Sequence, residues 1–302
     1  MKNVIAVIWD FDKTLIKGYM QSPMFKDYGV NEKDFWDEVN AMPKQHKEVR
    51  INPDTAYLIH FTRKAKDGTF KGLNNAKLRD YGGKQDFYPG MPEFMQISKE
   101  ILKDIPECDE FGIRVEHYIV STGFAEVIKG TALKKYVEDI WGCELLEGTD
   151  IDGDNVISEI CYTIDNTTKT KAIFEINKGI NKRPNVSVNA KMTEEQRRVS
   201  FENMIYIADG PSDVPAFSVV KRFGGSTFAV YPRDDDKAFA QVERLREDER
   251  IDMYGEADYT EGSQTYKWIT HKIREYAQRI IQMEQNKQAV QDNSPKHLTD
   301  KL

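Results

Sequence analysis

Cysteine is scarce: Cys108, Cys143 and Cys161 are the only three in 302 residues. An odd, sparse set without paired spacing excludes a disulfide framework and fits reduced thiols in a cytoplasmic protein. Long apolar runs are also missing. No stretch approaches the ~20 apolar residues that a membrane span needs. The opening MKNVIAVIWDFD carries too short an apolar run for a secretion signal and no cleavage pattern before Asp10. A soluble, intracellular chain without a membrane partner is expected. Positive charge is not in excess either: 43 Lys and Arg stand against 50 Asp and Glu, for a net charge of −7. That balance argues against a general nucleic-acid-binding surface, and leaves any bound phosphate to be neutralised locally by a metal or a few placed lysines. The five histidines, His46, His60, His117, His271 and His297, show no metal-ligand spacing.

What is present is globular in kind: 39% hydrophobic and 31% charged residues exclude a disordered chain, and the length allows a large core with a smaller second unit. Continuous apolar, β-branched runs at Val4 to Trp9, Val115 to Val120, Met204 to Ala208 and Thr227 to Tyr231 fit strands buried on both faces. Helical stretches lie between them, at about Met91 to Lys103, Ala125 to Trp141, Lys171 to Asn177 and Val214 to Lys221. This alternation predicts an α/β fold with a parallel sheet. Residues 18–87 interrupt it with aromatic-rich helical pieces and return through the Gly- and Pro-punctuated YGGKQDFYPGMPEF. They read as a small inserted helical domain. The core is then 1–17 and 88–285, and 286–302 form a polar tail expected to be flexible. Residues 143–162 flank DGDN, a hairpin signal, and 181–200 read as a polar surface loop.

Three apolar strands run into polar residues: the first into Asp10 and Asp12, the second into Ser121, the third into Asp209 and Asp213. In an open parallel sheet, ligands bind at the carboxyl ends of the strands. Four carboxylates and a hydroxyl would therefore meet at one edge. Such carboxylates repel one another unless a cation sits among them, and hard oxygen ligands favour magnesium shared with phosphate. A carboxylate can itself be the nucleophile, forming an aspartyl-phosphate, while a neighbour two residues on serves as general acid and then base. Taken singly each group has a plainer reading: Asp10 and Asp12 as capping carboxylates, Ser121 as a helix cap, Asp209-Gly210 as a turn. Their joint occurrence at three strand ends favours chemistry.

These residues resemble the haloacid dehalogenase-like (HAD) hydrolase superfamily, in its phosphoserine-phosphatase-like branch. The DxDxT motif is Asp10-Phe11-Asp12-Lys13-Thr14. The strand ending in Ser or Thr gives Ser121, followed by Thr122, Gly123 and Phe124. The acidic pair is Asp209 and Asp213 in DGPSDVPAF. The lysine at a helix start is best matched by Lys171, with Lys169 as the rival. The resemblance implies a Rossmann-like core with a helical cap that screens the substrate, and a Mg2+ cofactor. It also implies roles: Asp10 as nucleophile and metal ligand, and Asp12 as general acid/base with its carbonyl on the metal. Asp209 and Asp213 would be metal ligands, with Ser121, Thr122, Gly123 and Lys171 around the phosphoryl group. An acid at Asp12 disfavours dehalogenation.

The branch's substrate-reading glutamate is missing from LIKGYMQSPMF, where Tyr19 stands instead, so phosphoserine is not the expected substrate. Tyr19 and Met20 are candidates to face the substrate. Phe35, Trp36 and Tyr57 read as core of the inserted domain. Asp150, Asp152 and Asp154 resemble the start of a calcium loop, but Asn155 and Cys161 stand where its glycine and closing glutamate belong. The expected function is a phosphomonoesterase for a small phosphorylated metabolite. A phosphotransferase using the same intermediate, or a non-catalytic binding protein on the same fold, are the alternatives.

Overall fold

The computed structural model describes residues 3–183 and 185–292. Its centre is strand β1, Val4–Trp9, with every residue buried. An apolar run of this kind can only sit between two other strands. The chain then leaves the sheet for four helices: α1 (Ser22–Tyr28), α2 (Glu32–Gln45), α3 (Pro53–Lys66) and α4 (Asn75–Gly82). Three of these start on asparagines whose side chains accept a first-turn N–H: Asn31 from Asp34, Asn52 from Asp54 and Asn74 from Lys77. Their shared core is aromatic. The Phe25–Phe35, Phe35–Phe61 and Phe61–Phe70 ring centroids lie 4.8, 4.8 and 5.0 Å apart.

The return runs through α5 (Glu93–Glu100) and α6 (Pro106–Glu110) into β2 (Arg114–Phe124). After it come α7 (Ala125–Lys129), β3 (Val137–Thr149), β4 (Asn155–Tyr162), α8 (Thr168–Lys178), β5 (Met204–Ala208) and α9 (Val214–Arg222). The chain continues with β6 (Ser226–Tyr231), α10 (Asp236–Glu247), β7 (Met253–Glu256) and α11 (Gln264–Asp292). The seven strands form one sheet in the order β4-β3-β2-β1-β5-β6-β7, parallel throughout except for the β3–β4 hairpin. Trp9 is level with Ile119 on β2 and with Ile207 on β5. β1 and β5 end together at that level, and β2 runs on beside them to Phe124.

The helical segment is held down at two places. Its α4 lies on α7 with backbone against backbone: a Cβ on Gly130 would come within 1.8 Å of the Arg79 carbonyl oxygen, and one on Gly82 within 2.4 Å of the Val127 oxygen. The Arg79–Glu126 ion pair closes over this seam. The β3–β4 hairpin supplies the other hold, with the Ile157 N–H donating to the Leu73 carbonyl at 2.8 Å and the Ile151 N–H to the Lys66 carbonyl at 3.2 Å.

Three expectations change. The helix expected over Ala125 to Trp141 is only α7, because Gly130 ends it and Thr131 caps a short 3₁₀ turn, Ala132–Lys135. Val137 to Trp141, with its apolar Val, Ile and Trp, pairs with β2 instead. The expected loop at 181–200 is irregular, yet Arg198 and Val199 are buried. The tail expected from 286 onward is still helical to Asp292, and 293–302 lie outside the described residues. Among the described residues, no helix is long and apolar enough to cross a membrane.

Candidate active site

Asp10 follows β1 directly, and its N–H donates to the Ile207 carbonyl at 2.9 Å, which extends the β1–β5 ladder by one bond. Asp209 follows β5 in the same way. Asp213 lies four residues further on, after the tight turn that Gly210 and Pro211 make before α9. Asp10, Asp209 and Asp213 each present a carboxylate oxygen within 4.8 Å of the others. Of the three strand ends singled out in the sequence, β1 and β5 thus supply one cluster, and neither Asp12 nor Ser121 of β2 belongs to it.

The cation at its centre is Lys169, not Lys171. Lys169 Nζ lies 2.8 Å from Asp10 Oδ1 and 2.6 Å from Asp213 Oδ1, and the side chain is 1% exposed. Asp165 sets this geometry. Its Oδ1 accepts the N–H groups of Thr167 and Thr168 at 2.8 and 2.6 Å, which fixes where α8 begins and puts Lys169 in the first turn. Two residues on, Lys171 is turned roughly 200° around the helix. It lies at the surface with its Nζ 3.4 Å from Glu175 Oε1. Lys171 is therefore not in the cluster.

Asp213 is fully buried and held on every side: Tyr206 donates to Oδ1 at 2.6 Å, and Ser212 to Oδ2 at 2.9 Å. Thr14, also fully buried, donates to Asp10 Oδ2 at 3.4 Å. Asp12 Oδ1 accepts the Met20 N–H at 2.8 Å. Its carboxylate is not one of the three clustered oxygens. Ser121 Oγ accepts the Gly123 N–H at 3.0 Å, and the Thr122 carbonyl accepts from Tyr57 at 2.5 Å and Cys143 at 3.2 Å. This loop therefore ties the end of β2 to helix α3.

Of the two residues expected to face a substrate, only Tyr19 is open, at 42% exposure. Its hydroxyl accepts from Lys13 Nζ at 2.9 Å, and the ammonium lies 4.2 Å from the ring centroid. Lys13 reaches there from a left-handed backbone, φ 56°. Met20 is fully buried, and its sulfur accepts the Phe124 N–H at 3.1 Å. Its methyl group fills the space beside Gly123, where a Cβ would fall 2.2 Å away. Apolar packing against the β2 loop takes Met20 out of reach. Phe35 and Tyr57 are buried among aromatic rings. Asp150 uses its Oδ1 to accept the Asp152 and Asp154 N–H groups at the hairpin tip. Lys169 could have been preferred over Lys171 from the Asp165 cap signal. Nothing in the sequence singles out Tyr206 or Tyr57.

The electrostatics are those of crowded acids. Burial, with the Asp213 charge beside it and against the pull of Lys169, pushes Asp10 up to about 6. Burial and then the charges of Asp10 and Asp213 push Asp209 up to about 7. Burial and then Asp10 hold Asp12 well above the usual carboxylate range. Burial works against the Lys169 charge, but Asp10 and Asp213 outweigh it and raise its affinity for the proton. One lysine does not balance this set. An all-oxygen triplet short of positive charge fits a hard divalent cation, so Asp10, Asp209 and Asp213 suit Mg2+.

No family model matches the chain. Over 288 residues it is 34% identical to an uncharacterized protein of Borreliella burgdorferi, covering 90% of this chain and 97% of that one. Among solved structures it is similar to a HAD family hydrolase of Salmonella enterica serovar Typhi, at 15% identity and TM-score 0.48, over 84% of this chain and 67% of that one. A phosphoserine phosphatase carrying a phospho-aspartyl intermediate analogue matches at 16% identity and TM-score 0.48, over 89% and 99%. A cytosolic 5′-nucleotidase IIIB bound to cytidine matches at 13% identity and TM-score 0.48, over 91% and 87%. At such low scores none of the three decides the fold or the chemistry of this chain.

Proposed function

We propose that this chain, which belongs to one family with the 34% identical Borreliella burgdorferi protein, is a HAD-type phosphomonoesterase that works through an aspartyl-phosphate on Asp10. The observation that carries this reading is the buried lysine bridging two carboxylates where the ends of β1 and β5 meet. A structural ion pair needs one acid for one base. Here three acids crowd one base in a desolvated place, an arrangement that costs stability and suits phosphoryl transfer.

Asp10 supplies the attacking oxygen. As its bond to phosphorus forms, the ester P–O bond breaks, and the leaving oxygen takes a proton from Asp12. Burial and the Asp10 charge raise the proton affinity of Asp12, which suits it to the acid role, and the Met20 N–H orients its carboxyl group. Asp12 then takes a proton from water as the water attacks phosphorus and frees Asp10. Lys169 supports the negative phosphoryl oxygens from beside Asp10, with Ser121, Thr122 and Gly123 on the facing loop. Mg2+, held by Asp10, Asp209 and Asp213, would supply electrostatic stabilisation of the transferring group.

Residues 18–87 act as the cap in this reading. Their Met20 and Tyr57 pack on the end of β2 beside the site, where a small phosphorylated metabolite would enter. With Tyr19 where the branch's substrate-reading glutamate would stand, phosphoserine is a poor substrate in this reading. The test is hydrolysis of p-nitrophenyl phosphate by the purified chain. Activity should require Mg2+, vanish in chelator and return on adding Mg2+. Undiminished activity in excess chelator would overturn the metal assignment. No activity with any of a panel of phosphomonoesters would overturn the enzyme itself.

A further inference from the structure

The hydrogen bonds around Thr122 do more than hold the helical segment to β2. They run on into the hydroxyl of Ser121, which is 1% exposed. The Thr122 carbonyl accepts from two donors, the Tyr57 hydroxyl at 2.5 Å and Cys143 Sγ at 3.2 Å. Burial first, and then the neighbouring Cys143, push Tyr57 well above its ordinary range, and burial pushes the Cys143 thiol up as well. Both groups therefore keep their protons and donate.

Each donor is itself fixed. Tyr57 is buried on α3, with its ring 5.8 Å from that of Phe124. The Cys143 sulfur, on β3, accepts the Ile164 N–H at 3.3 Å, one residue before the Asp165 that sets the start of α8. The peptide unit joining Thr122 to Gly123 is planar and trans, so its C=O and N–H point opposite ways. Holding the carbonyl on Tyr57 and Cys143 aims the Gly123 N–H at Ser121 Oγ, which accepts it at 3.0 Å. A serine oxygen that accepts one hydrogen bond still has its own proton to give, and with one lone pair taken its O–H has fewer directions open to it.

We propose that Tyr57 and Cys143 are positioning residues for Ser121: by holding the Thr122–Gly123 peptide they direct the Ser121 hydroxyl at a bound phosphoryl oxygen. This rests on the reading that Ser121 faces the phosphoryl group. Both residues act through Ser121, so the seating of α3 sets anion affinity at the end of β2. A purely structural hold would act whether or not Ser121 had its hydroxyl.

The probe is inorganic phosphate, titrated into the full chain in the presence of Mg2+ by calorimetry. Ser121→Ala should weaken its binding about tenfold, the size of one charge-assisted hydrogen bond. Tyr57→Phe, which removes one oxygen, should weaken it about fivefold. Cys143→Ala, which removes a weaker donor, should weaken it about threefold. In the Ser121→Ala background neither change should matter by more than about twofold. Tyr28→Phe removes another hydroxyl of the helical segment, one that donates to the Lys71 carbonyl, and should have no effect. Losses that add to that of Ser121→Ala would overturn the proposal. So would unchanged affinity in both single variants, or the absence of saturable phosphate binding. If Tyr57→Phe does not fold, Cys143→Ala carries the same cycle. The expected pattern in a chain that does not hydrolyse p-nitrophenyl phosphate would sink the phosphomonoesterase reading and leave this proposal standing.

Discussion

Asp10 and Glu116 are both carboxylates on the central strands, and burial takes both out of water, at 5% and 3% exposure. They nevertheless shift in opposite directions. At the carboxyl end of the sheet, Asp10 shares one lysine with Asp213 and faces Asp209, and it binds its proton more tightly than usual. At the amino end, burial also pushes Glu116 up, but the Arg198 fork, the Tyr118 hydroxyl at 2.5 Å and Arg114 outweigh it and hold the group below its ordinary value. Burial is common to both, and the number of partners per carboxylate decides the sign. At the amino end the Glu116 carboxylate is neutralised by its own neighbours. The cluster at the carboxyl end is left short of positive charge.

The sharpest test of that contrast is kinetic. Asp10→Asn should lower p-nitrophenyl phosphate turnover by about 10⁴-fold or more. Its thermal midpoint should not fall, because one of three crowded charges is gone. Lys169→Met should cost about 10²–10³-fold in kcat/KM, and Lys171→Met less than about twofold. A large loss of stability in Asp10→Asn would make the cluster a structural device. Equal effects from the two lysines would remove Lys169 from its assigned role.

Next in size is the amino end. Arg198→Met leaves Glu116 buried with Arg114 and Tyr118 alone, and should destabilise the chain by about 3–5 kcal/mol in denaturant unfolding. Adding Glu116→Gln should recover part of that loss. A stability change within error for Arg198→Met would mean that this pair is as weakly coupled as a surface one.

The smallest effect concerns pH. His117 is buried on β2 and pushed down to about 3, by desolvation first and the Lys99 charge second. Its Nδ1 accepts the Trp9 indole N–H at 3.0 Å, so Nε2 carries the proton and faces the Met95 carbonyl at 3.0 Å. Between an unfolded value near 6.5 and the folded one, only the unfolded chain takes up the proton. The contribution is complete above about pH 6.5 and is lost as the pH falls toward 3. It should amount to roughly 2 kcal/mol between pH 7 and pH 5. The difference between wild type and His117→Gln isolates it from the raised carboxylates, whose contributions run the other way. Parallel stability–pH curves for the two proteins would refute it.

Much of this was legible in the sequence where a pattern is local. The apolar run Val4 to Trp9 can only be an inner strand, and an acid directly after it must emerge at the sheet edge. The two lysines show the limit. Positions 169 and 171 differ by about half a turn of helix, so the choice depends on the residue at which the helix starts, which the Asp165 cap fixes. Met20 looked available because it is near Tyr19, but the glycine that makes room for it lies 103 positions later, at Gly123. Arg198 was hidden in a polar stretch because its partner, Glu116, is 82 residues earlier. Partnerships of that length leave no periodic signal.

The glycine seam between α4 and α7 sets a tolerance for the seating of the whole helical segment. Because the contact at Gly130 leaves less room than a single methyl group needs, the position of α4 on α7 is set by two residues with no chemistry of their own. An alanine at either site acts as a doorstop, propping the helical segment off the β2 loop while leaving every polar group of the acidic cluster unaltered. In a set of related chains the two positions should then behave as one inherited character, small together or enlarged together with a compensating retreat of α4. A random screen for inactive variants should return this seam as readily as the aspartates.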